Sequence, residues 1–180
     1  MDLYEFTNAK DCKKSYEKNK EIMKDICKIM IQIHNLGYSH GDIKLENFFI
    51  SNGTIYVGDF GFADKFGNTT QIVRGTLDYM APELVKSYVD KKSVVITPAV
   101  DIYALAVTYI VLLTGYFPYD VEKLSDKQSQ DCILGGIDFT EKQYHDVPDQ
   151  MITLLKKMSN KDPDKRPSMK KILSLLEELE

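Results

Sequence analysis

Apolar residues recur at helical spacing in four stretches of the chain. In the first, residues 21–36, they fall three or four positions apart, and Gly37 follows as a helix stop. Each of the other three begins beside a proline, a residue favoured in the first turn of a helix. The pattern therefore predicts three further helices, over residues 99–114, 148–159 and 168–179.

A strand pattern occurs once. Residues 48–50 and 54–57 are rich in β-formers and flank an Asn52-Gly53 pair, which predicts a tight hairpin. Residues 58–83 contain four glycines and no regular period, and loops of that length usually carry function. The sequence predicts a mainly α fold in one domain, with one small hairpin and one long functional loop.

Composition and charge limit the kinds of protein and partner that this sequence can represent. With 180 residues, 43% of them hydrophobic, the chain can bury one sizeable core. Its net charge is -4 and its 23 basic residues are spread along the chain, so nucleic acid and anionic membranes are not expected partners. Cys12, Cys27 and Cys132 are too far apart to suggest a metal or redox pair, and no secretory signal opens the chain. We expect buried, reduced thiols and a cytoplasmic location.

Residues 102–119 carry no charge, and a length of 18 residues is the lower limit for a helix that spans a membrane. The stretch is interrupted by Gly115 and Pro118 and includes hydroxyl side chains. This combination is more typical of a central buried helix in a globular protein.

Three short motifs follow one another in the loops. Residues 40–47 read HGDIKLEN, with the spacing D-x-K-x-x-N; residues 59–61 read DFG; residues 75–83 read GTLDYMAPE. In this order they resemble the catalytic loop, the metal-binding triplet and the end of the activation segment of eukaryotic protein kinases. The resemblance implies a kinase-like C-terminal lobe over residues 1–180, with an activation segment at 59–83 and a helical subdomain at 98–180.

The resemblance implies a role for each motif residue. Asp42 would be the catalytic base, and Lys44 would neutralise the transferring phosphate of ATP. Asn47 and Asp59 would hold Mg²⁺ and bind the cofactor, since phosphoryl transfer needs oxygen ligands for the metal. Lys44 and Thr76 resemble residues of the serine/threonine kinases. Taken singly, the Asp and Asn residues could instead be turn formers.

Other residues are expected to be structural. Glu83 and Arg166 resemble a buried ion pair of the family, and Asp101 resembles an anchor for the backbone of the catalytic loop. His40 is expected to be a packed core histidine, because the neighbouring carboxylate already fills the role of base. His34 and His145 have no partner at the spacing of metal ligands, so we expect them to be ordinary helix or loop residues.

Two departures from the family pattern affect the functional expectation. Gly41 stands where most regulated kinases carry arginine, so control by activation-loop phosphorylation through that residue is not expected. No glycine-rich loop or Val-Ala-Ile-Lys-like strand is found, so we expect the N-terminal lobe to be absent, the first helix to lie at residues 4–10, and catalysis to be weak.

Two functions remain open. The first is a serine/threonine kinase lobe that uses ATP and Mg²⁺ on protein substrates and that a separate N-lobe-like polypeptide could complete. The second is a non-catalytic mimic of a kinase C-lobe that binds and regulates another kinase. In either case the missing lobe would expose an apolar patch on the long helix and the hairpin.

Overall fold

A computed structural model describes residues 1–8, 15–71, 75–119 and 125–179, and within these ranges the fold is mainly α, as predicted. The helices are α1 (Leu3–Asn8), α2 (Tyr16–Asn35), α3 (Pro82–Asp90), α4 (Pro98–Thr114), α5 (Asp126–Gly135), α6 (Asp149–Met158) and α7 (Met169–Glu178). The strands are β1 (Tyr38–Ser39), β2 (Phe48–Ser51), β3 (Thr54–Val57), β4 (Asp64–Lys65), β5 (Thr69–Thr70) and β6 (Val94–Val95).

Helix α4 is the centre of the core. It is mostly apolar and most of its residues are buried, with α2 and α6 packed against it and α7 packed against α2. Gly115 ends the helix with φ of 80°, a conformation that glycine adopts without strain. Across the described ranges, no helix combines the length and the apolar character needed to cross a membrane. The uncharged stretch at residues 102–119 is therefore largely a core helix.

Helix α2 begins at Tyr16, earlier than the apolar pattern predicts. The added first turn buries polar side chains: Asn19 Nδ2 donates to the Leu112 carbonyl at 3.1 Å, and Lys20 Nζ donates to the Leu179 carbonyl at 2.9 Å. Because polar residues occupy the buried face here, the hydrophobic period does not mark the start of the helix.

The predicted hairpin is confirmed as β2 and β3. Ser51 pairs with Thr54, and Asn52 and Gly53 form the turn with φ of 50° and 77°. Both positive angles suit the two-residue turn that an Asn-Gly pair favours.

Two further antiparallel pairs, neither of them a hairpin, were not predicted. β1 pairs with β4, and β5 pairs with β6. Strands of two residues have no detectable period, and each pair joins segments that are distant in sequence. Together they hold the described part of the 59–83 segment against the rest of the lobe.

Helices α3 and α5 were also not predicted. Helix α3 starts inside the Ala-Pro-Glu motif, with Pro82 in its first turn. Helix α5 has a capping box in which Ser125 and Gln128 bond to each other's backbone, but it buries few side chains. Helix α1 lies where a first helix was expected, and residues 9–10 of that prediction fall outside the described residues.

Of the two described cysteines, Cys27 has the predicted burial and Cys132 is only partly buried. Cys27 is fully buried, and burial raises the pKa of its thiol to about 12. Cys132 is half-buried and free, and Cys12 lies outside the described residues.

The two buried tyrosines Tyr103 and Tyr109 of α4 differ in their hydrogen bonding. The Tyr103 hydroxyl lies 2.6 Å from the hydroxyl of Tyr119. The buried Tyr109 hydroxyl has no hydrogen-bond partner in the described part of the chain. A buried hydroxyl without a partner costs free energy, whereas a paired one contributes to stability.

Tyr109→Phe is therefore expected to leave the free energy of unfolding unchanged or to raise it by up to about 1 kcal/mol. Tyr103→Phe, the matched control, is expected to lower it by about 1 kcal/mol, because Tyr119 loses its partner. Urea denaturation of both variants measures the difference. A larger loss for Tyr109→Phe than for Tyr103→Phe would contradict this account of the core.

Candidate active site

The 40–47 loop is anchored to the core helix α4 by one carboxylate. Asp101, 1% exposed, accepts hydrogen bonds from the backbone N–H of His40 (2.9 Å) and of Gly41 (3.1 Å), which confirms its predicted role. It also accepts a bond of 2.8 Å from Nε2 of His34 on α2. The sequence predicts His34 as an ordinary helix residue, and this contact was not predicted, because the two residues are 67 positions apart in sequence.

His40 is a packed residue, as predicted, and both of its ring nitrogens are used. Nε2 donates to the Gly58 carbonyl at 3.0 Å, and Nδ1 accepts from the backbone N–H of Asp42 at 3.3 Å. Its ring also lies 5.0 Å from the ring of Phe60. The histidine thereby ties the 40–47 loop to the residues on both sides of Asp59.

The Asp42 carboxylate is the centre of a hydrogen-bond network. Oδ1 accepts from the backbone N–H and from the hydroxyl of Thr76, both at 3.0 Å. Oδ2 accepts from Lys44 Nζ at 3.0 Å and from Asn47 Nδ2 at 3.1 Å. Lys44 Nζ in turn donates to the Thr76 hydroxyl at 2.8 Å. The structure thus brings three of the four predicted site residues together, with Thr76 as a fourth member of the network.

Electrostatics keep this carboxylate ionised. Burial raises the pKa of Asp42, but the hydrogen bonds from Lys44 and Thr76 outweigh burial, and the pKa lies below its usual value. Its side chain is 2% exposed, whereas that of Lys44 is 21% exposed. A charged acceptor is therefore held in a fixed direction, beside one partly exposed cation.

Asn47 and Asp59 provide oxygen atoms that suit Mg²⁺. The Asn47 amide nitrogen donates to both the carbonyl and Oδ2 of Asp42, which leaves the amide oxygen as the group available to a ligand. The Gly58 N–H donates to the Asn47 carbonyl at 2.9 Å, so Asp59 follows directly after a residue bonded to Asn47. A carboxylate and an amide oxygen are hard ligands of the kind Mg²⁺ prefers.

Asp59 has an uncommon backbone conformation. Its φ is 59°, in the left-handed region that residues other than glycine seldom adopt, and its side chain is exposed. The Gly61 N–H donates to Oδ1 at 3.3 Å. Such strain costs free energy and is typical of positions where a side chain must be aimed at a ligand.

Gly41 lies at a close approach of backbones. Its φ is +81°, and a Cβ atom there would lie 2.4 Å from the carbonyl oxygen of Phe62. Gly75 also approaches it, since a Cβ on Gly75 would lie 2.8 Å from the Gly41 oxygen. The two glycines allow the 40–47 loop to touch both ends of the 59–83 segment, of which residues 72–74 lie outside the described residues.

Gly41→Ala is expected to lower the free energy of unfolding by about 2 to 4 kcal/mol, since it combines a positive φ with a backbone clash. Gly53→Ala is the matched control: its φ is +77°, but nothing lies within 4 Å of an added Cβ. The control should lose only about 1 kcal/mol. Thermal unfolding compares the two, and equal losses would rule out the close approach at Gly41.

The end of the 59–83 segment is fastened by a buried ion pair. Both terminal nitrogens of Arg166 donate to the Glu83 carboxylate at 2.7 Å, which confirms the predicted pair. Arg166 also donates to the carbonyls of Ala99 and Asn160 and lies over the ring of Tyr103. Bidentate pairing of this kind fixes direction as well as distance.

Exposed aromatic side chains lie beside the site. Phe49 and Tyr56 face each other across the hairpin and are 43% and 54% exposed, and Phe60 is 50% exposed. Single exposed apolar residues are ordinary, but a group beside a polar site indicates a surface that contacts a ligand or a protein. This group corresponds to the hairpin part of the expected apolar patch.

Comparison with known proteins places the chain in a family. The family model described as protein kinase domain matches residues 1–175. The chain is 31% identical over 178 residues to the serine/threonine-protein kinase TOS3 of Saccharomyces cerevisiae, with 84% of this chain and 30% of that protein covered. It is 30% identical over 155 residues to a Wee1-like protein kinase of Arabidopsis thaliana, covering 84% of this chain and 28% of the relative.

A calcium/calmodulin-dependent serine/threonine-protein kinase of Malus domestica is 31% identical over 163 residues, with 84% of this chain and 36% of that protein covered. The chain thus spans about a third of the length of these curated relatives. The family match, however, extends over nearly all of its residues and includes the three motifs at the site. The chain belongs to the protein kinase domain family.

Proposed function

We propose that the chain is the catalytic lobe of a serine/threonine kinase, which transfers the terminal phosphate of ATP to hydroxyl groups of protein substrates. The observation that carries the proposal is the Asp42 carboxylate, held by Lys44, Asn47 and Thr76 in one network. The motif at residues 40–47 would be the catalytic loop, and residues 59–83 would be the activation segment.

Asp42 would orient the substrate hydroxyl and accept its proton. Its two oxygens already accept four hydrogen bonds from protein groups, so one must be released before a hydroxyl can bind. Lys44 is partly exposed and carries the longest side chain of the donors, so it can turn toward a phosphate, which frees Oδ2. The loss of this cation would also raise the proton affinity of Asp42 at the moment of transfer.

Protein kinases as a family use ATP with Mg²⁺ and act on protein substrates. In this chain Asn47 and Asp59 would hold the metal through their side-chain oxygens. Bound Mg²⁺ neutralises charge on the phosphates in this reaction class. Lys44 would contact the transferred phosphate, and Asp59, exposed in its strained conformation, would face the nucleotide.

Catalysis by these residues alone should be weak. Nucleotide pockets bury most of their ligand, and phosphoryl transfer relies on the exclusion of water. The exposed Phe49, Tyr56 and Phe60 support a covering protein surface over the site, whether from a further part of a longer chain or from a separate N-lobe-like polypeptide. We propose a protein partner of this kind and a cytoplasmic setting.

The test is transfer of label from γ-labelled ATP to peptides that carry serine, threonine or tyrosine as the sole acceptor. We expect slow, Mg²⁺-dependent labelling of serine and threonine, lost when the metal is chelated. Tyrosine labelling at an equal rate, or no labelling of any acceptor, would contradict the proposed activity.

The second candidate function is a non-catalytic lobe that binds and regulates another kinase. The exposed aromatic group on the hairpin supports it, because such a surface favours contact with a protein. A regulator of this kind would bind a complete kinase equally well with or without Asp42→Asn. Inhibition or activation of a full-length kinase that survives this substitution, together with no labelling, would favour the second function.

A further inference from the structure

The charge of this protein is unevenly distributed. Residues 156–171 contain seven of the 23 basic residues and only two of the 27 acidic ones, so this segment carries +5 while the remaining residues carry -9. The even spread of basic residues expected from the sequence does not hold here. Such asymmetry on an acidic protein indicates a surface for an anionic partner.

These charges lie on two helix ends and on the loop that joins them. The segment runs from the last turn of α6 to the first turn of α7, and Arg166 Nε donates to the Asn160 carbonyl at 2.7 Å, which closes the connecting loop. Arg166 itself is neutralised by Glu83. Six exposed lysines remain on the two helix ends and the loop, and we call them the basic surface: Lys156, Lys157, Lys161, Lys165, Lys170 and Lys171.

Structural roles account for only some of these lysines. Lys156 and Lys157 complement the dipole at the C-terminal end of α6, Lys156 lies over the ring of Phe139, and Lys165 pairs with Asp162 at 3.4 Å. Lys170 and Lys171 do not fit such a role, since the first turn of α7 contains no acidic residue.

Cations in the first turn oppose the helix dipole, which favours anions there. In the described part of the chain neither Lys170 nor Lys171 forms an ion pair. An intrinsically unfavourable pair of charges is therefore retained at a position where an external anion would be attracted.

We propose that the basic surface binds an acidic segment of a partner protein. Residues 156–171 contain no aromatic residue, and beyond Tyr116 no large apolar side chain is exposed among the described residues. Membrane insertion needs exposed apolar groups, and single-stranded nucleic acid binding relies on aromatic stacking. A segment of aspartate, glutamate or phosphorylated residues needs only spaced cations on the protein surface in order to bind. This binding is independent of phosphoryl transfer.

The experiment is fluorescence anisotropy of a labelled oligoglutamate peptide, titrated with the purified chain without ATP at several salt concentrations. We expect binding that weakens as salt rises. Lys157→Gln/Lys170→Gln/Lys171→Gln should bind the peptide about tenfold more weakly, because each exposed ion pair contributes a modest part of the affinity. The corresponding triple substitution to arginine should keep the affinity.

The matched control removes the same charge elsewhere. Lys86→Gln/Lys92→Gln/Lys127→Gln alters three exposed lysines outside the basic surface and should change affinity by less than about twofold. An equal loss in both triple variants would overturn the proposal, since net charge alone would then explain binding. Tighter binding of a single-stranded oligonucleotide or of anionic vesicles than of oligoglutamate would also overturn it, in favour of those partners.

Discussion

Asp42→Asn is expected to lower the rate of label transfer by about 10²- to 10⁴-fold, the usual contribution of a positioned acid or base. The amide cannot take up a proton, and its NH₂ group would face the donors Lys44 and Asn47, which now bond to Oδ2. Single-turnover labelling from γ-labelled ATP measures the loss.

Asp146→Asn makes the same chemical change at an exposed position and serves as the control. It should keep the wild-type rate. A rate for Asp42→Asn within about threefold of the wild type would remove Asp42 from the reaction, since a positioned base contributes far more. Circular dichroism on both variants separates a loss of chemistry from a loss of fold.

Arg166→Ala is expected to have the largest effect on stability, a loss of about 3 to 5 kcal/mol in the free energy of unfolding. The Arg166 side chain is fully buried, and its removal leaves the Glu83 carboxylate, 18% exposed, without its cation. Carbonyls of Ala99 and Asn160 lose donors as well. Urea denaturation measures the change against Lys165→Ala, an exposed neighbour that should shift stability by less than about 0.5 kcal/mol.

The double variant Glu83→Gln/Arg166→Met distinguishes two causes of the loss of stability: the unpaired charge on Glu83 and the lost packing of Arg166. If the unpaired Glu83 carboxylate accounts for most of the stability lost in Arg166→Ala, the double variant should be more stable than Arg166→Ala. A loss below about 1 kcal/mol for Arg166→Ala would contradict the view that this ion pair fastens the activation segment.

The sequence predicted the elements that carry a strong local signal. The apolar period located α4, α6 and α7, and the Asn52-Gly53 pair located the hairpin. The short pairs β1 with β4 and β5 with β6 left no trace, because each depends on contact between distant segments. The start of α2 was missed for a different reason: Asn19 and Lys20 are buried polar residues that satisfy distant carbonyls.

At the site, too, local motifs were predictable from the sequence and contacts between distant segments were not. Motif spacing brought Asp42, Lys44, Asn47 and Thr76 forward as candidates, and the fold brings these four into contact. No local pattern could reveal His34 as a partner of Asp101, since they lie on separate helices. The hydrogen bond between His34 and Asp101 becomes visible only when the packing of the two helices is known.

The central claim, that Asp59 and Asn47 hold magnesium for a bound ATP, is tested most directly by calorimetric titration of ATP with and without Mg²⁺. We predict that Mg²⁺ strengthens binding to the wild type and that Asp59→Asn weakens the Mg²⁺-dependent affinity by about 10- to 100-fold, as expected for the loss of one charged ligand. Asp146→Asn should bind as the wild type does. An Asp59→Asn variant with unchanged Mg²⁺-dependent affinity would contradict the account.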